Sequence, residues 1–189
     1  MKQKIRNILL KISIWACAMP MVIFFMVMTF MLIPRLQLLL GHMQLLDTMS
    51  NGYNASYVHQ LLEKFRSEGR EAYLSLELYA DIPFIFLYVI TFTVSITKLL
   101  VKNGLWNSAL FYSLLFPILA GAFDLGEDIG IISMLISENE ISASIIKLTS
   151  CSTILKGVFL PLTLLTLFSQ LGLMGYRKLK LKNKTSLIR

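Results

Sequence analysis

Residues 116–136 read FPILAGAFDLGEDIGIISMLI, a run apolar enough to cross a bilayer that nonetheless carries Asp124, Glu127 and Asp128 near its middle. On a helix these acids stand at i, i+3 and i+4 and share one face. An ionised side chain facing hydrocarbon costs roughly 2.5–3.5 kcal/mol on insertion scales. Three on one face must therefore point at protein, water or a ligand. The stretch defines a polytopic membrane protein with a polar site inside it.

Composition agrees. Of 189 residues, 56% are hydrophobic and 15% charged, where soluble domains carry about 25% charged residues. The apolar residues come in long runs, the pattern of membrane spans rather than of a large soluble core. The net charge of +7 sits at the chain ends and beside helix ends, where the positive-inside rule places it, so nucleic acid is not an expected partner. Cys17 and Cys151 lie in apolar stretches and read as small core residues. His42 and His59 have no spaced partner, and no metal-ligand spacing or cofactor motif is read in the chain.

The expected architecture is all-α: one four-helix transmembrane bundle filling residues 1–189. The first span covers about 12–33 and ends near Pro34; it is too long for the apolar region of a signal peptide. A mixed, mostly polar segment, about 35–77, follows. Within it Ser56 is expected to cap a short amphipathic helix with Tyr57, Leu61, Leu62 and Phe65 on one face, ended by Gly69. Arg70 is expected to open the second long helix, whose span covers about 78–99 and whose Pro83 interrupts the backbone ladder. Trp106 is expected at an interface. The third span covers about 107–136, an acidic loop with Glu138 and Glu140 follows, the fourth span covers about 141–173, and a basic tail occupies 177–189. The N-terminal stretch, the Lys98–Lys102 loop and the tail hold four, two and six of the 18 Lys and Arg. Four spans put all three on one side, which is then cytoplasmic: an N-in, C-in protein of the plasma membrane with residues 35–77 outside.

Depth links the buried charges. Asp124 lies about 20 Å below the outer end of the third helix, and Lys156 about 22 Å down the fourth, at 1.5 Å per residue. An Asp124–Lys156 ion pair follows, since each would be intolerable alone. Thr153 shares the Lys156 face. On the second helix Arg70, Tyr73, Glu77, Asp81 and Tyr88 fall on one stripe. The expected site is Asp124, Glu127, Asp128, Lys156, Asp81, Glu77, Arg70, Tyr88 and Thr153. Five acids against two bases leave three carboxylates unpaired. Either some hold protons, or a cation or amine occupies the site, or water reaches it from outside.

The pattern Gly69-Arg70…Tyr73…Asp81…Pro83…Tyr88, Pro117…Asp124…Glu127-Asp128, Thr153…Lys156 resembles a group of small, uncharacterised bacterial four-helix membrane proteins. That group reads roughly GR-x-x-Y, D-x-x-x-P-x-x-Y, P, D-x-x-E-N, T-x-x-K. The resemblance covers about residues 53–161. Pro83 stands nearer Asp81 than in the group, and Asp128 replaces its Asn. The resemblance implies a bacterial membrane and supports the site; it implies no activity.

The expected function is an outward-opening acidic cavity that binds a small molecule, cation or lipid headgroup. Whether the chain is an enzyme stays open. As one, it would use Glu127 or Asp128 as general base and Lys156 as electrostatic stabiliser. An ion- or proton-coupled carrier and a subunit docking a partner through the Tyr57–Phe65 helix are the other readings.

Overall fold

The computed structural model describes residues 2–65, 67–137 and 141–186. It is helical, with no strand among the described residues. The helices are α1 (Lys2–Lys11), α2 (Ile14–Val27), α3 (Ile33–Leu39), α4 (Ala55–Lys64), α5 (Ser67–Leu76), α6 (Ile82–Lys102), α7 (Leu115–Ile136) and α8 (Ala143–Ser186). Among the described residues, four helical stretches are long and apolar enough to cross a membrane: Ile14–Leu39, Glu68–Lys102, Ala109–Ile136 and Ala143–Lys180. The Glu138 and Glu140 loop and the end of the basic tail lie outside the described residues.

Two prolines do not end their helices. The first long helix was expected to stop near Pro34, but it continues to Leu39. A π-turn over Met28–Leu32 precedes Pro34, and the Ile33 amide reaches back to the Met28 carbonyl. A second π-turn over Glu77–Asp81 precedes Pro83 and closes with the Ile82 amide on the Glu77 carbonyl. A proline lacks the N–H of the ordinary ladder and crowds the carbonyl four residues back. The wider π-turn makes room for it. Both long helices therefore extend past their expected limits, and the segment between them shortens to residues 40–66.

That segment folds onto the bundle. Asn54, not Ser56, caps α4, its side chain accepting the Tyr57 amide at 2.9 Å. Gly69 does not break a helix; it lies inside α5, packed against Phe65. Val58, Leu61, Leu62 and Phe65 join Leu45, Leu46, Tyr73 and Ile131 in one buried cluster. Leu61 and Phe65, the residues expected to carry a docking contact, are thus buried in the protein's own core. Gly52, in a left-handed turn at φ +77°, lets the chain approach α8: a Cβ there would stand 2.6 Å from the Ser150 hydroxyl.

A second cluster gathers Ile96, Leu100, Trp106 and Leu114 at the far end of α6. Trp106, expected at an interface, is buried and meets Phe111 edge to face at 5.0 Å. There Asn103 donates to the Gln170 backbone carbonyl at 3.0 Å and to its side-chain oxygen at 2.9 Å. The fourth helix runs on through Arg177, whose guanidinium donates to the Asn103 carbonyl, so the start of the tail is helical rather than free.

Helix α8 packs most extensively on α7. Gly126 and Gly130, four apart, face Ser152 and Thr149, a small-residue stripe that lets two membrane helices approach closely. A Cβ on Gly130 would lie 1.9 Å from the Thr149 Oγ1 and 2.8 Å from its Cβ. A β-branched side chain cannot swing away from both, so the helices would have to separate. Gly130→Ala is expected to lower stability by about 1–3 kcal/mol, read as earlier thermal unfolding in detergent. Gly172→Ala, where an added Cβ meets nothing within 4 Å, should leave the midpoint unchanged or raise it.

Candidate functional site

The close α7–α8 approach sets the floor of the site. Lys156 on α8 meets Asp124 Oδ1 on α7 at 2.9 Å, the pair that matched depth requires. It also pairs with Glu127 Oε2 and donates to the Asp47 backbone carbonyl at 3.4 Å. The other oxygens are held as well. Thr153 donates to Glu127 Oε1 at 2.6 Å, and the Tyr88 hydroxyl donates to Asp124 Oδ2 at 2.8 Å. Tyr88 itself packs between the tilted rings of Phe84 and Phe92 on α6. Lys156 thus neutralises one of the two carboxylates beside it and is shared by both.

The π-turn supplies the facing wall. Glu77 and Asp81 are buried and turned toward α7. Carboxylate oxygens of Asp81, Asp124 and Asp128 lie within 4.8 Å of one another, and so do those of Asp47, Glu77 and Asp81. Asp81 belongs to both groups. Glu77 and Asp128, fully buried, lie against each other. Beyond each other, neither meets a hydrogen-bond donor among the described residues.

Asp47 is the residue that the sequence did not single out. It stands in a short 3-10 turn, Leu46–Thr48, between the first two long helices. Tyr73 of α5 fixes this turn, donating to Asp47 Oδ1 and accepting the Leu46 amide, each at 3.0 Å. No periodicity marks Asp47; its only signal is a lone acid beside two leucines in a stretch otherwise read as polar. Of the expected site residues, Asp124, Glu127, Asp128, Lys156, Asp81, Glu77, Tyr88 and Thr153 converge. Arg70 does not: it is half-buried on α5 and makes no ion pair among the described residues.

The balance is therefore more negative than expected. Six carboxylates, when ionised, face one ammonium, leaving five charges uncompensated. Asp47, Asp81 and Asp124, with Lys156, line one side of a cavity of about 350 Å³. Phe25, Met28, Ile33 and Leu160 line its apolar side.

Two expectations follow. Lys156→Met should cost about 3–5 kcal/mol, since it strands two buried carboxylates. Adding Asp124→Asn and Glu127→Gln should recover most of that loss in the same unfolding measurement. The second concerns pH. Burial raises the Asp47 pKa, while the Lys156 charge and the Tyr73 hydroxyl oppose the rise. A carboxyl raised on folding contributes its stability below the unfolded value, near 3.9, and loses it as pH climbs through the raised value. The detergent-solubilised protein should thus melt earlier as pH rises above about 4. Asp47→Asn should flatten that slope; an unchanged slope would remove Asp47 as a cause. Set against known protein families, curated proteins and solved structures, the chain matches none, and the functional reading rests on this geometry.

Proposed function

We propose that this chain is a multi-pass membrane protein whose helices enclose an acidic cavity that binds a positively charged ligand. The observation that carries the reading is the pair Glu77 and Asp128. Two fully buried carboxyl groups lie together, and beyond each other none of their four oxygens meets a donor among the described residues. Leaving a buried polar group unsatisfied costs about 1–3 kcal/mol, and more for a charged one. A fold keeps such an arrangement when a ligand repays it.

The cavity beside the cluster supports the reading. It is large enough for a headgroup-sized molecule or a hydrated ion, and one wall is apolar. The positive-inside reading places its mouth on the extracytoplasmic side of a bacterial cell membrane, since residues 40–66 carry little positive charge and the ends of the chain carry much. Lys156 is committed to Asp124 and Glu127, so its task is to hold these acids in place.

Native mass spectrometry of the detergent-purified protein tests the reading. The wild type should carry a cation or amine adduct, and Asp81→Asn and Asp128→Asn should each lose it. A folded wild type with no adduct, or an adduct indifferent to both changes, would defeat the proposal.

A further inference from the structure

The acids are not one diffuse patch. They form two groups of three oxygens, each within 4.8 Å, that share a single residue. A hard cation binds oxygen at about 2.0–2.6 Å, so ligand oxygens on opposite sides of it stand up to about 5 Å apart. Each group has the span of one cation's ligand set. The donors are carboxylates alone, without histidine or cysteine, which selects magnesium, manganese or calcium over softer metals.

Resting on the cation reading above, we infer that the cluster is a dinuclear site for hard divalent cations, with Asp81 bridging an Asp47–Glu77 subsite and an Asp124–Asp128 subsite. Charge decides the number. With all six carboxylates ionised, five uncompensated negative charges become three with one divalent cation and one with two. Monovalent cations in both subsites would still leave three.

The two long helices supply the ligands in the same way. Glu77 and Asp81 lie four apart across the π-turn of one helix, and Asp124 and Asp128 lie four apart on α7. Asp47 closes the first subsite from the folded-back turn, oriented by Tyr73. Asp124 Oδ1 and Oδ2 already serve Lys156 and Tyr88, but a carboxylate oxygen carries two lone pairs and retains one for a metal. Glu77 and Asp128, beyond each other, meet no donor among the described residues. Asp47, Asp81 and Asp124 face the cavity, from which water or a polar ligand completes the coordination. A shared proton between Glu77 and Asp128 would settle that pair. It would not explain why two triads converge on Asp81.

The test uses Mn²⁺ on the full-length protein in detergent, stripped first with a chelator. Bound metal per chain is measured after dialysis, and electron paramagnetic resonance reports whether the ions interact, as ions about 3.5–4 Å apart do. Two Mn²⁺ per chain with a spin-coupled spectrum are expected. Asp81→Asn should abolish the coupling and weaken binding by more than about tenfold. Gly172→Ala should change nothing. Where Asp81→Asn does not fold, Glu77→Gln and Asp128→Asn each remove a ligand from one subsite and should leave one uncoupled ion.

A single uncoupled Mn²⁺ on the wild type would overturn the dinuclear site and leave the cation reading standing. So would an absence of Mn²⁺ on folded protein that still shows an amine adduct lost in Asp81→Asn. Mn²⁺ binding indifferent to all three variants would overturn the site itself. Neither metal nor adduct on folded protein would defeat both readings.

Discussion

The Lys156 ammonium is the tie on which the middle of the bundle depends. It sits between two helices and a returning turn, touching Asp124, Glu127 and the Asp47 carbonyl. Breaking a buried pair by removing one partner is costly because the other charge remains behind. Here the loss would strand two partners at once. The tie in turn needs α7 and α8 to lie close, which Gly126 and Gly130 permit against Ser152 and Thr149. Those small residues occupy the same few turns as the acids, so helix approach and charge placement are one constraint.

The π-turn at Glu77–Asp81 is the second device. Pro83 forbids the ordinary ladder just there, and the chain answers with one wider turn. Such turns collect at functional sites because they re-aim side chains without ending the helix. Pro34 meets the same answer in the Met28–Leu32 turn, whereas Pro20 and Pro161 lie inside ordinary α-helix. Only the second turn carries acids. The same local remedy is structural in one helix and presents ligand groups in the other.

What the sequence makes legible is what local physics controls. Long apolar runs mark the four spans, and spacing places Asp124, Glu127 and Asp128 together. Matched depth alone pairs Asp124 with Lys156. The misreadings share a different cause. Pro34 and Gly69 look like helix breakers, yet π-bonding and packing against Phe65 override them. The apolar face of α4 reads as a docking surface because its partners, Leu45, Leu46 and Ile131, come from distant parts of the chain. Asp47 escapes notice for that reason too: its role depends on a turn held by Tyr73, 26 residues away in sequence.

The opposite end of the bundle provides an internal comparison. There the buried Asn103 and Gln170 pair with each other, and the exposed Arg177 donates to the Asn103 carbonyl. An amide meets an amide, a guanidinium meets a carbonyl, and no acid is involved. Polar glue between membrane helices looks like the Asn103–Gln170 contact: uncharged and worth under about 1 kcal/mol on average. The acidic cluster is built on the other principle. It gathers like charges, supplies among the described residues one cation for six carboxylates, and leaves Glu77 and Asp128 with no donor but each other. One chain therefore contains both solutions. Had helix attachment been the sole requirement at Asp124, the Asn103 type of contact would have met it without an unbalanced charge. The excess negative charge is what a positively charged ligand would complete.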